Sequence, residues 1–308
     1  MNNSLLQKTL IVLLGPTGVG KTDSSLAIAQ TFGTSIISCD SRQIFREMHI
    51  GTAAPEENLT RQIPHYFVKT KSVEEYYSAG QFELDALRVL DELFVQNPIQ
   101  LMVGGSMLYI DALCHGLDDI PHTTDEIRSL VKQIYEMEGI EGLQRRLAIL
   151  DPVHYEQVDR HNTQRMLHAV ELCLQTGRPY SDLLGKRQTL RSFEIVKIGL
   201  DLPREELYER INNRVDKMMS QGLLEEAKRL YPQRHLNALN TVGYKELFRY
   251  FDGEWSLDFA VQMIKQNSRR YAKRQLTWFR RDDSIRWFSP FEIPEIIEYI
   301  KQTIKNKP

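Results

Sequence analysis

Residues 15–22 read Gly-Pro-Thr-Gly-Val-Gly-Lys-Thr and satisfy the spacing GxxxxGK[ST]. The octet follows a continuous apolar run, Thr9-Leu-Ile-Val-Leu-Leu14. It precedes Asp23–Gln30, where Leu26, Ala27 and Ala29 are available for packing. A buried parallel strand, a glycine-rich turn and a helix form the setting in which this spacing cradles phosphate. Glycines let successive backbone N–H groups turn inward on an anion. The helix N-terminus adds donors and a favourable dipole. Gly15, Thr17, Gly18, Gly20, Lys21 and Thr22 therefore form the loop expected to contact phosphate or diphosphate. Lys21 would reach phosphate oxygens, and the Thr22 hydroxyl is placed to hold Mg²⁺.

The loop specifies phosphate or diphosphate, not ATP. Nucleotide-hydrolysing members of this class carry an acid at the end of an apolar strand to help bind Mg²⁺. Here the strand Gln100-Leu-Met-Val103 ends in Gly104-Gly105. The strand that does end in an acid is Thr34–Cys39, followed by Asp40. An acid there faces the acceptor. The pattern suits transfer from a phosphate-bearing donor to a neighbouring nucleophile, with Asp40 as general base.

Alternation of strands and helices continues to residue 103, with a long amphipathic helix expected over Val73–Phe94 and broken by Pro98. That order implies an α/β fold, a parallel sheet flanked by helices. The texture then changes. Pro121 and the polar run His122–Glu126 mark a junction, and residues to about 190 are helical without a convincing strand. Phe193–Leu200 returns to strand character. Expected boundaries are 1–120 for the first part of the core, 121–192 for a helical insertion and 193–308 for the second part. Helices are expected over Glu205–Tyr231, Leu257–Phe279 and Pro294–Ile304, and a last short strand over Ile285–Phe288.

Lys and Arg number 39 against 41 Asp and Glu, so a wholly basic protein is excluded while a local basic face is not. Cys39, Cys114 and Cys173 are widely spaced with no CxxC, which argues against a disulfide scaffold or a cysteine zinc site. The apolar run Leu10–Leu14 is too short for a signal peptide or a membrane span. An intracellular protein of the cytoplasm is expected. No dimerisation element stands out, and a monomer is expected.

Gly15–Thr22, Asp40-Ser-Arg-Gln43, Gly51-Thr-Ala53, Ile63-Pro-His65, Gly104-Gly-Ser106 with Leu108-Tyr109, Val242-Gly-Tyr-Lys-Glu246, and Tyr271-Ala-Lys-Arg-Gln275 with Thr277-Trp278 occur in this order. Together they resemble the bacterial tRNA dimethylallyltransferases, over residues from about 9 to about 288. The resemblance implies a fold like the small P-loop kinases, with a helical insertion that grips the tRNA anticodon stem-loop. It implies transfer of the dimethylallyl group of dimethylallyl diphosphate to N6 of adenosine 37, in tRNAs reading codons that start with U. Diphosphate leaves, Mg²⁺ assists and no ATP is consumed. By the same resemblance Asp40, Thr17 and Arg214 are catalytic, Ser41 and Gln43 hold the target base, and Ser41 joins Thr22 near the metal.

Between Asp258 and Asp282 the charged residues are all basic: Lys265, Arg269, Arg270, Lys273, Arg274, Arg280 and Arg281. On a helix the first five fan over one side, while Ala260, Val261, Ile264, Ala272, Leu276 and Phe279 cover the other. Such a face suits a phosphate backbone. Lys265, Arg269, Arg270, Lys273, Arg274 and Gln275, with Arg165 of the insertion, are the expected tRNA contacts.

Two departures from the family pattern carry expectations. Met107 stands where the family usually has glycine. It either narrows the prenyl pocket or, if its backbone angles are ordinary, lines an apolar surface. In the insertion, His161-Asn-Thr-Gln-Arg165 and His168-Ala-Val-Glu171 replace a pattern with an added acid, proline and arginine; His168 would carry only part of a charge near neutrality. Two other readings remain: an RNA-binding homologue without turnover, and a small-molecule or nucleotide kinase. The basic helix disfavours the kinase, and the intact loop disfavours the pure binder.

Overall fold

A computed structural model describes residues 7–118, 120–121, 123–185 and 190–305. Met1–Leu6, His122 of the expected junction and 186–189 lie outside the described residues. The chain forms two compact units, residues 1–114 with 191–308, and residues 115–190.

In chain order the elements are β1 (Thr9–Leu14), α1 (Lys21–Phe32), β2 (Ile36–Cys39), α2 (Glu57–Gln62), β3 (His65–Tyr66), α3 (Ala79–Gln96), β4 (Ile99–Gly104) and α4 (Met107–His115). Then come α5 (Asp125–Leu150), α6 (Pro152–Gln157) and α7 (Thr163–Thr176). The rest are β5 (Glu194–Leu200), α8 (Arg204–Ser220), α9 (Leu223–Leu230), α10 (Tyr244–Phe251), α11 (Leu257–Phe279), β6 (Arg286–Phe288) and α12 (Ile293–Lys305).

The larger unit is built on a six-stranded sheet of order β3-β2-β4-β1-β5-β6, every pair parallel. β1 is central and wholly buried, which accounts for its unbroken apolar sequence. Register is what builds the site. Leu14 lies opposite Gly104 on one side and Gly199 on the other, and Cys39 is opposite Gly104. The phosphate loop, Asp40 and Gly105-Ser106 therefore leave the sheet side by side at its carboxyl edge, where open parallel sheets bind ligands.

Ile11, Leu13, Ile36, Leu101, Ile198 and Leu200 pack with Ile28, Leu207, Ile211, Ile296 and Ile300 of the helices. A second core joins α8–α11 to the segment after β2 through Met48, Met218, Leu223, Tyr244, Leu247 and Ile264.

Two expected helices differ. The long helix starts at Ala79 rather than Val73, because Ser78 caps it by accepting from the Gln81 N–H at 3.1 Å. Glu205–Tyr231 is not one helix. Gly222, at φ +100°, breaks it into α8 and α9.

A buried ion pair fixes the place where the larger unit's chain departs and returns. Arg191 Nη2 lies 2.7 Å from Glu83 Oε1, and both side chains are 6% exposed. Arg191 also donates to the carbonyls of Ala112 and Leu113, at 2.7 and 2.8 Å. Removing one partner of such a pair strands a buried charge. Glu83→Ala is expected to cost about 3–5 kcal/mol of stability, read from the urea unfolding midpoint.

The smaller unit packs α5 against α7 over Val131, Leu143, Leu147, Met166, Ala169 and Val170. Asp151, fully buried, accepts from the His154 N–H at the start of α6 (2.9 Å) and from Ser181 N–H and Oγ (2.6 and 2.8 Å). Arg165 is exposed near the head of α7. His168 sits edge-on to Tyr180 at 5.6 Å. Partial burial lowers its pKa, with Arg128 and His154 pushing the same way. It is thus more neutral at pH 7 than the sequence suggests.

Among the described residues no helix is long and apolar enough to cross a membrane. The three cysteines are free and buried.

Candidate active site

A cleft of about 760 Å³ opens at the carboxyl edge of the sheet, within the larger unit. Its floor is the phosphate loop, with Thr17, Gly18, Gly20, Lys21 and Thr22 on the wall; Gly15 lies behind it at the end of β1. Asp40, Ser41 and Gln43 come from the turn after β2, Arg210 and Arg214 from α8, and Tyr271, Arg274 and Gln275 from α11. Asp40 is the single carboxylate among the lining residues, against Lys21, Arg42, Arg210, Arg214, Lys245 and Arg274. A concave surface with that balance concentrates anions.

Lys21 Nζ donates to the loop's own carbonyls, Gly15 at 2.8 Å and Pro16 at 2.9 Å. Burial lowers its pKa to about 8, Arg214 adds to the fall and Asp40 opposes it. Burial also lowers the Arg214 pKa, again opposed by Asp40. Both cations are poised to gain from an incoming polyanion. Arg214 is held by the Thr52 carbonyl at 3.2 Å.

Asp40 Oδ1 accepts from Arg42 N–H (2.9 Å) and Gln43 N–H (3.2 Å), closing a turn. Oδ2 has no hydrogen-bond partner among the described residues. The aspartate thus caps its own turn with one oxygen and keeps the other open to the cleft. Tyr271 and Tyr109 flank it. Burial first, then Asp40 among the nearby charges, pushes Tyr271 up to about 12; burial likewise raises Tyr109 to about 12. Both phenols are neutral donors at pH 7.

Ser41 N–H donates to Ser106 Oγ at 2.8 Å, so Ser106 ties the turn to the start of α4. Met107 is the first residue of that helix and has no positive φ. It does not line the cleft. The helical backbone there needs no glycine, so of the two expectations ordinary backbone angles hold.

Several expected contacts are placed differently by the structure. Gln275 is 2% exposed. Its Oε1 accepts from Thr17 N–H at 2.9 Å and its Nε2 donates to the Gly105 carbonyl at 2.7 Å. It braces the phosphate loop against the end of β4 instead of facing outward. A Cβ at Gly105 would come within 2.4 Å of that Nε2, which explains a glycine there. Gln43 Nε2 is committed to the carbonyls of Thr52 and Ala53, both at 3.2 Å. Reading an adenine edge with both amide atoms would require those bonds to open.

On α11, Lys265 pairs with Asp216 at 2.6 Å and Arg269 donates to Asn212 at 2.6 Å. These two cations stitch α11 to α8. Arg270 and Lys273 are exposed and Arg274 faces the cleft. Arg42, Arg210, Asn213 and Tyr271 line the site as well. Arg42 and Tyr271 sat inside quoted motifs; Arg210 and Asn213 lie one turn and one residue before Arg214, on the same helix.

Sheet order, crossovers and loop define a P-loop α/β protein. Residues 43–282 match the family described as IPP transferase. The chain is 53% identical to tRNA dimethylallyltransferase 1 of Bacteroides fragilis over 298 residues, covering 97% of this chain and 99% of the relative. It is 56% identical to tRNA dimethylallyltransferase 2 of Porphyromonas gingivalis over 282 residues, 92% of this chain and 94% of that one. The crystal structure of the tRNA isopentenylpyrophosphate transferase of Bacillus halodurans superposes with a TM-score of 0.71 at 33% identity, covering 97% of each chain. This chain therefore belongs to the IPP transferase family.

Proposed function

We propose that the protein transfers the dimethylallyl group of dimethylallyl diphosphate to N6 of adenosine 37, in tRNAs reading codons that begin with U. The observation that carries this reading is the lone open carboxylate oxygen of Asp40 beside a cationic phosphate loop. The C1–O bond to diphosphate breaks as the N6–C1 bond forms, and the amine proton passes to Asp40. Negative charge grows on the leaving oxygen. Lys21, Arg214, the Thr17 hydroxyl and the loop amides receive it, and fixed donors are worth most where charge develops.

Mg²⁺ would neutralise the diphosphate. The exposed Thr22 hydroxyl accepts no hydrogen bond among the described residues, and Ser41 is another of the hydroxyl-bearing residues that line the cleft. No cluster of three His, Cys, Asp or Glu side chains exists among the described residues. That donor set fits a hard cation that takes its remaining oxygens from substrate and water.

The exposed cations Arg270, Lys273 and Arg274 would meet the tRNA backbone, as would Arg165 of the helical segment. Lys265 and Arg269 would act by fixing α11. Action as a monomer in the cytoplasm completes the proposal.

The test is incubation with dimethylallyl diphosphate, Mg²⁺ and unmodified tRNA containing A36-A37-A38, followed by nucleoside mass spectrometry. A prenyl-sized gain on A37 with diphosphate release is expected. Transfer of phosphate from ATP, or tRNA binding without any gain, would sink the proposal.

A further inference from the structure

The motif Val242–Glu246 does not line the cleft through its tyrosine, yet Tyr244 is fully buried. Its hydroxyl donates to Glu226 Oε1 on α9 at 2.7 Å. Glu226 is 2% exposed and has no Lys or Arg within ion-pair reach among the described residues. Its charge is held by backbone donors instead. Oε2 accepts from the N–H groups of His49 (3.0 Å) and Ile50 (2.8 Å), and Oε1 also accepts from Gly51 N–H at 2.9 Å. Three successive amides and one phenol thus converge on one buried carboxylate.

The next two residues carry the consequence. The Thr52 carbonyl accepts from Arg214 Nη2 and from Gln43 Nε2, and the Ala53 carbonyl accepts from Gln43 Nε2, all at 3.2 Å. Ala53 sits at φ +45°, a conformation costly for a residue with a Cβ unless its surroundings enforce it. A Cβ at Gly51 would lie 2.5 Å from the Tyr244 hydroxyl, so the phenol occupies the space a side chain would need. The phenol's own mount is fixed as well. Glu246 accepts from Gly243 N–H and from Asn267 Nδ2 of α11, both at 2.8 Å.

We infer that Glu226 and Tyr244 are positioning residues: they clamp residues 49–51 so that the Thr52 and Ala53 carbonyls set the Arg214 guanidinium and the Gln43 amide for substrate. This deepens the proposed function, since it rests on Arg214 receiving the diphosphate. Neither residue touches the cleft's contents. Each works through a turn of backbone. Loss of the phenol leaves Glu226 with three donors and loosens one side of the turn; loss of the charge weakens all three amide bonds together.

The test is a double-mutant cycle on dimethylallyl diphosphate affinity, measured by calorimetry without tRNA. Tyr244→Phe, which keeps the ring in the core, is expected to weaken binding about 5-fold, and Glu226→Gln about 10-fold or more. In an Arg214→Ala background each substitution should change affinity by less than about 2-fold, because the group it positions is gone. A merely structural role predicts the same loss in both backgrounds. Equal losses, or an unchanged affinity in folded Tyr244→Phe, would overturn the clamp. If Glu226→Gln fails to fold, Tyr244→Phe decides alone. Failure of the unaltered protein to bind the diphosphate would instead strike the proposed function, and melting temperatures of Tyr244→Phe in the two backgrounds would then show whether the carboxylate and Arg214 are coupled.

Discussion

Asp40→Asn is expected to lower kcat by about 10²–10⁴-fold while leaving tRNA affinity within a few-fold. The substitution separates the turn cap that Asp40 provides from the general-base role proposed for it. Asparagine keeps an oxygen that can accept from Arg42 and Gln43 N–H, so the turn after β2 survives. What it loses is the basic oxygen facing the cleft. A turn-capping role alone predicts a change of a few-fold, because the cap is retained. Adenine N6 is a weak nucleophile, and help with its proton counts most in the transition state. Single-turnover rates with saturating substrates, alongside filter-binding of tRNA, distinguish the two. A kcat within 5-fold of the unaltered protein would remove Asp40 from the chemistry.

The second large effect belongs to Lys21. Lys21→Ala is expected to reduce kcat by about 10²–10³-fold, the usual cost of deleting one donor to developing negative charge. Its titration adds a distinct signature. In the free protein Lys21 loses its proton near pH 8, because burial and Arg214 outweigh Asp40. Diphosphate favours the ammonium form and raises that pKa. Binding at pH 9 should therefore take up close to one proton, whereas binding at pH 7 should take up almost none at this group. Affinity should weaken up to about tenfold per pH unit above 8. Calorimetry in buffers of different ionisation enthalpy reads the uptake directly.

The same shift has the opposite sign for folding. An ordinary lysine keeps its proton to about 10.5, so between pH 8 and 10.5 the unfolded chain binds more protons than the native one. The penalty for the buried charge is fully present below pH 8 and is relieved as the pH rises through that window. Lys21→Met should consequently melt higher than the unaltered protein at pH 7. A melting temperature that stays put or falls would mean the ammonium is well accommodated without ligand.

Legibility in the sequence followed the range of the interactions. β1, the phosphate loop and α11 could be read because each rests on contiguous pattern: a buried run, fixed glycine spacing and 3.6-residue periodicity. The α8–α9 break had a local signal in Gln221-Gly222, overridden by strong helix formers on both sides. Ser78 as a cap was equally local, but apolar residues before it extended the apparent helix. The bracing role of Gln275 is hidden in the sequence for a different reason. A glutamine inside a basic stretch looks like part of an RNA face, and only the approach of β4 and the phosphate loop from 170 and 258 residues away makes it an internal brace. Lys265 and Arg269 show the same limit, since their partners lie on α8. The role of Arg42 in lining the cleft likewise depends on its carbonyl partners, Asn237 and Ala238, far along the chain.

The Arg191 clamp makes the two ends of the larger unit's interruption neighbours in space. Residue 191 reaches carbonyls 112 and 113 directly, so the gap left by removing 115–190 is one that a few residues can bridge. The host fold is then topologically a closed circuit with a guest plugged into one seam. Among the described residues, its strands pair and its cleft is lined without any contribution from the guest. Lengthening such a seam costs little, about 0.6 kcal/mol per doubling of loop length. Guests of different size and surface can therefore be exchanged at this seam while the cleft at the sheet edge keeps its lining.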